Sequence, residues 1–140
     1  MSIPLLVLLA FAGWTLAVLL GFIGTYRWSR ILTGRAQLTD FRPDVPHGSD
    51  LYRRAMRAHA NCLESLPVYA AIVVVLTATG LSSPWLDALA VTFLVARVFQ
   101  SLTHILLPET NRAVALRFSF FLLQLVCMGW MGLTALTQTA

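Results

Sequence analysis

Charge is scarce in this chain: only 11% of its 140 residues are charged, and lysine is missing altogether, so all ten basic positions are arginine. No charged residue occurs from Met1 to Tyr26 or from Phe118 to the end of the chain. A soluble domain carries about 25% charged residues. With 58% hydrophobic residues and a strongly positive mean hydropathy, the composition is that of an integral membrane protein. Cysteine is nearly absent too. Cys62 and Cys127 fall on separate predicted helices without metal-ligand spacing, which argues against a disulfide and against a metal site. No phosphate loop, hydrolase triad, internal repeat or low-complexity tract is present. The lack of any acidic residue in residues 1–26 argues against a four-helix multidrug transporter.

The apolar runs predict four membrane-spanning helices, near residues 3–26, 52–79, 84–107 and 113–137, since a bilayer core takes about 20 apolar residues in helical form. Residues 1–26 have no basic start, and their apolar run is long for a secretory signal. They therefore read as a retained helix, stopped by the arginines from Arg27 to Arg35. Gly80 to Pro84 punctuates the second and third helices. The apolar part before that break is too short to cross alone, so the second helix must begin near Tyr52 and carry Asn61 and Glu64 to membrane depth. The stretch from Leu38 to Asp50, with Pro43, Pro46, Gly48 and three aspartates, reads as a loop folded over the helix ends. The expected whole is one all-α, four-helix membrane domain over residues 1–140.

Seven arginines flank the first connection, Arg112 and Arg117 flank the third, and the second connection and both termini have none. By the positive-inside rule, the first and third loops are cytoplasmic and both termini are not. The net charge of +4 is thereby accounted for by orientation and lipid contact, with no need for nucleic acid.

The few polar residues within the spans are patterned. Arg53, Arg57, Asn61 and Glu64 recur at four, four and three residues, forming one stripe of the second helix. Arg97, Gln100, Ser101 and His104 share a face of the third, and Arg117 and Gln124 lie on the fourth. Counting helical rise puts Glu64 level with Arg97 on an antiparallel neighbour, so the two are expected to pair as a structural ion pair. Arg57, His104 and Arg117 then leave surplus positive charge at the same end, a setting for an anion. Gly13, Ala17 and Gly21 form a ridge of small residues suited to packing, within the chain or between copies. His47 and His59 lie off these faces.

The segment RRAMRAHANCLESLPVY, Arg53 to Tyr69, resembles the characteristic motif of the MAPEG superfamily, the membrane-associated proteins in eicosanoid and glutathione metabolism. Arg57, Asn61, Glu64 and Pro67 match its spacing, and the ARVFQSLTH and NRAVALRF segments extend the resemblance along the chain, in a form similar to the bacterial members. That resemblance implies a homotrimer in the inner membrane, with glutathione as co-substrate bound between subunits. Arg57, Asn61 and Glu64 match its glutathione-binding residues, and Gln100 and His104 on the adjoining face are expected to bind glutathione with them. Arg117 matches the catalytic arginine that stabilises the thiolate, and a hydrophobic electrophile would arrive from the bilayer. The implied activity is that of a glutathione-dependent transferase or peroxidase. The alternative is a non-catalytic member that binds lipid or acts as a scaffold. Tyrosines of several animal members are absent, with Ser65, Phe99, Gln100 and His104 in the corresponding regions, and Ala60 precedes the motif asparagine.

Overall fold

Glycine and proline punctuation divides the chain into four long helices: Ile3–Leu32, Asp50–Ala78, Pro84–Leu106 and Asn111–Thr139. The computed structural model describes every residue other than Pro43, Pro46 and Ala140, and Thr139 in its backbone alone. Each helix is long and apolar enough to cross a membrane, and there is no strand among the described residues. The first and third connections lie at one end of the bundle, with the arginines. The turn role expected of Pro43 and Pro46 lies outside the described residues.

The first helix runs two turns further than its charge-free segment. Arg27 and Arg30 are accommodated in its last turns because their guanidiniums lie over aromatic rings: Arg27 at 5.4 Å from Phe41 and 5.8 Å from Tyr52, Arg30 at 5.4 Å from Tyr26. The helix stops where Gly34 adopts a φ of 68°, with Gly34 N–H donating to Ile31 O and Arg35 N–H to Arg30 O. The second helix ends the same way, at Gly80 (φ 69°), with Leu81 N–H donating to Leu76 O.

Within the first helix, Leu19–Gly24 winds as a π-helix. The buried positions Val7, Phe11, Thr15 and Val18 keep helical spacing, and the next buried residue, Ile23, comes five later. That extra residue resets the phase of the helix, so that Tyr26 stacks on Tyr52 (4.3 Å between centroids) and Arg27 Nε donates to Tyr52 Oη at 2.8 Å. The first loop closes over this junction. A side chain at Gly48 would sit 2.6 Å from the Tyr52 ring and 3.0 Å from Tyr26 Oη, and φ there is 85°, so only glycine fits.

The second and third helices start from Ser49 and Ser83, whose hydroxyls accept from Tyr52 N–H and Leu86 N–H. They enclose the core with the first. Phe93 stacks on Tyr69 at 4.3 Å and meets the edge of Phe11 at 5.4 Å, and Tyr69 Oη donates to Pro4 O. The fourth helix lies along the third, contributing Cys127, Met128, Met131 and Ala135 to the same core. Cys62 and Cys127 are both buried and free.

The small-residue ridge does not pack within the chain. Gly13, Ala17 and Gly21 are exposed, and nothing lies within 4 Å of a Cβ placed on either glycine.

Replacing Phe93, which is fully buried, opens a cavity beside the rings of Phe11 and Tyr69. Phe93→Ala should destabilise the detergent-solubilised protein by about 3–5 kcal/mol, whereas Leu136→Ala on the exposed face should change stability by less than about 0.5 kcal/mol. Equilibrium unfolding checks both.

Candidate functional site

Polar side chains in the spans must find partners, because hydrocarbon offers none. At the arginine-rich end the second, third and fourth helices satisfy this requirement together. Gln124 Nε2 donates to Gln100 Oε1 at 2.9 Å, and Gln100 Nε2 donates to the Arg117 carbonyl at 3.2 Å. Arg117 Nη2 then donates to Thr103 O and Leu107 O, each at 3.2 Å. Leu107, the cap residue, has a carbonyl otherwise unused among the described residues, whereas Thr103 O also accepts from Leu107 N–H; at this helix end a guanidinium meets the negative end of the helix dipole.

Arg117 is 6% exposed, yet one edge of its guanidinium is turned to the surface cleft, where Nη1 lies 3.9 Å from Glu109 Oε1. The same Glu109 oxygen accepts a hydrogen bond from Arg57 Nη1. One carboxylate is thus shared by guanidiniums from two helices. Deeper by one turn from Arg57, Asn61 Nδ2 lies 3.1 Å from His104 Nε2. An amide nitrogen can only donate, so His104 Nε2 accepts as the neutral ring.

Of the hollows along this row, two hold its carboxylates Glu109 and Glu64. One, about 370 Å³, opens at the helix ends and is lined by Asp50, Arg53, Arg54, Arg57, Pro108 and Glu109. Three arginines there face two carboxylates, and Asp50 is paired with Arg53. The other, about 250 Å³, lies along the span between Asn61, Glu64, Ser65 and Val68 on the second helix, Arg97 on the third, and Phe121, Leu125 and Met128 on the fourth.

The residues singled out by pattern fall as follows. Arg57, Asn61, His104 and Arg117 converge at the arginine-rich end, with Gln100 behind Arg117. Arg97 is buried, 1% exposed, and its guanidinium carbon lies 5.8 Å from the Phe11 ring centre. Glu64 is exposed, on the outer side of the second helix. The direct Glu64–Arg97 ion pair is not made among the described residues. The two side chains share the smaller hollow, with the carboxylate at its open side and the guanidinium turned inward to Phe11. The stripe from Arg53 to Glu64 therefore does not point into the chain's own core. That core takes the neighbouring stripe of Ala55, Ala58, Cys62, Ser65 and Tyr69.

Glu109 was not foreseen. Its signal is that it is the sole acid in the third connection, between Pro108 and Arg112, where an anion would otherwise be repelled by nothing. Several donors remain open: Arg97 Nε and Arg117 Nε are buried without a hydrogen-bond partner among the described residues. No three His, Cys, Asp or Glu side chains converge as a metal-holding group among the described residues.

A four-helix integral membrane protein with a cleft of guanidinium and amide groups at one end is the class that fold and site define. The chain belongs to the MAPEG family, whose family model matches residues 3–137, nearly the whole chain and every site residue named above. No curated protein and no solved structure matches it.

The Gln124–Gln100–Arg117 chain is buried, so cutting it leaves polar groups unpaired. Gln100→Leu should cost about 1–3 kcal/mol, and adding Gln124→Leu should cost less than the two single changes summed, because both partners of one bond are then removed. Unfolding of the two single variants and the double variant measures this coupling.

Proposed function

We propose that this protein is a membrane-bound glutathione-dependent transferase or peroxidase acting on hydrophobic electrophiles. The observation that carries the reading is the pair of guanidiniums from Arg57 and Arg117, on different helices, converging on one carboxylate. Glutathione carries two carboxylates and, once ionised, a thiolate. Donors that hold one carboxylate oxygen between two arginines suit such a ligand.

Glutathione, when bound, supplies the sulfur nucleophile. Arg57 binds a carboxylate, while Asn61 and the exposed Glu64 offer an amide donor and an acceptor for the ligand's backbone and amine. His104 fixes the Asn61 amide, and Gln100 fixes the Arg117 backbone. Arg117 holds positive charge at a buried position, and a guanidinium beside a thiol favours the thiolate over the thiol by Coulomb attraction. No covalent nucleophile of the protein's own is required.

The site is completed by a second copy in a homotrimer. Glu64 and the Gly13–Gly21 ridge lie uncovered on the single chain, and both suit burial against another helix. Hydrophobic substrates reach the cleft from the bilayer, past Phe121 and Leu125. The arginine-rich end faces the cytoplasm of a bacterial inner membrane, with both termini on the other side.

One observation favours a second reading, a non-catalytic lipid-binding or scaffold protein: the two Nη2 bonds of Arg117 cap the third helix, a structural task. The readings separate on ligand binding and turnover. Glutathione should raise the melting temperature in detergent, by the equivalent of about 2.7 kcal/mol at a hundred times its Kd. Arg117→Ala should lower conjugation of a lipophilic electrophile at least about tenfold, the equivalent of one pKa unit on the thiol, while the oligomer persists. No shift at millimolar glutathione supports the scaffold, and unchanged turnover in Arg117→Ala removes that residue from the chemistry.

A further inference from the structure

We propose that Glu109 is a built-in placeholder for the ligand: its carboxylate sits where an anionic group of the bound thiol compound belongs, between Arg57 and Arg117, and must be displaced for that group to bind. This rests on the reading that the cleft takes glutathione, and it names the residue that sets the affinity.

The three members of the bridge are held very differently. Arg117 is buried and fixed by two carbonyls of the third helix and by the Gln100 bond to its backbone. The Glu109 backbone is fixed as well, in a tight turn where Thr110 N–H donates to Pro108 O and Thr110 Oγ1 accepts from Ala113 N–H at the start of the fourth helix. Its side chain is about half exposed, 49%, and the Arg57 side chain is 55% exposed. The mobile part of the bridge is therefore the Glu109 side chain, which can rotate into water without unmaking the turn.

Displacement is cheap because the hydrogen-bonded contact, with Arg57, is solvent-facing on both sides, and Arg117, 3.9 Å from the carboxylate, keeps its two carbonyl bonds when Glu109 leaves. Exposed pairs of this kind stabilise by about 0–1 kcal/mol. Releasing Glu109 leaves the Arg57 guanidinium, which lines the hollow at the helix ends, and the Nη1 of Arg117, 3.9 Å from the vacated oxygen position, to an incoming carboxylate or thiolate of the same charge. While no ligand is bound, the same carboxylate spares Arg57 and Arg117 their mutual repulsion. A tethered competitor of this strength lowers apparent affinity several-fold without closing the site.

Glu109→Gln removes the competing charge and keeps the shape. In calorimetric titration of the purified full-length protein with glutathione in detergent, its Kd should fall about fivefold relative to the parent, the equivalent of the upper end of an exposed pair's strength. Asp50→Asn is the control, since Asp50 lines the same hollow but pairs with Arg53 instead of bridging Arg57 and Arg117. Its Kd should stay within about twofold of the parent, within the smaller field effect expected of a screened surface charge. Glu109→Asp, one methylene shorter, should also bind more tightly because it spans the two arginines less well, and it serves should Glu109→Gln fail to fold. Equal or weaker binding by a folded Glu109 variant overturns the placeholder while leaving the glutathione reading intact. Equal tightening by Asp50→Asn also overturns it, in favour of a general charge effect. No binding by the parent or by any variant removes the glutathione reading and this inference together.

Discussion

Arg117 anchors the third and fourth helices to each other, and the geometry of the cleft depends on that attachment. Its guanidinium satisfies the end of the third helix, and its own carbonyl is satisfied by Gln100 from within that helix. The two helices thus exchange bonds in both directions, across sequence separations of 10 to 17 residues. In a bilayer such bonds have no water to compete with, though their measured strength averages only about 0.6 kcal/mol. Their effect is on register. Once the fourth helix is fixed against the third, the short turn between them brings the Glu109 carboxylate within reach of Arg57.

The same constraint explains why the Arg117 cation can remain buried. A guanidinium has five donors in a fixed fork, so Arg117 can give two bonds to carbonyls and still present another edge to the cleft. Lysine, with a single rotatable ammonium, offers no such division. The exclusive use of arginine at the basic positions matches this demand at Arg117, and at Arg27 and Arg30 it supplies planar cations for aromatic faces.

The four spans were legible because hydrophobic runs and their breaks are local properties, as at Gly80–Pro84, whereas the end of the first helix at Gly34 lay beyond the arginines that were expected to stop it. The polar faces were legible for the third helix, where Arg97, Gln100 and Ser101 are all buried. On the second helix the same periodicity was ambiguous. Its polar stripe and its small-residue stripe are adjacent, and spacing alone does not say which one faces the chain's own core. The π-turn of the first helix was not legible either, since it inserts a residue without any proline or charge to mark it, and it places Tyr26 and Arg27 against Tyr52. Glu109 escaped notice for a third reason: a bridge across 52 residues to Arg57 depends on how helices are set together, which no local pattern encodes.

Glu64 and Arg97 carry the consequence furthest. Glu64 lies 14 residues into the second helix, roughly 21 Å along it at about 1.5 Å per residue, and it faces outward. A charge at mid-span costs about 2.5–3.5 kcal/mol when it meets lipid. Arg97, on the other side of the smaller hollow, is sealed against Phe11 and keeps Nε unpartnered. A single chain thus leaves an acid too exposed and a base too enclosed, with a hollow of about 250 Å³ between them. Closing that hollow from outside relieves both at once: it removes the carboxylate from hydrocarbon and confines it to the side of the gap that faces the guanidinium. The copy of the chain proposed to complete the cleft would therefore also create the conditions for the Glu64–Arg97 attraction, so that oligomer stability and the integrity of the binding site rest on the same surface.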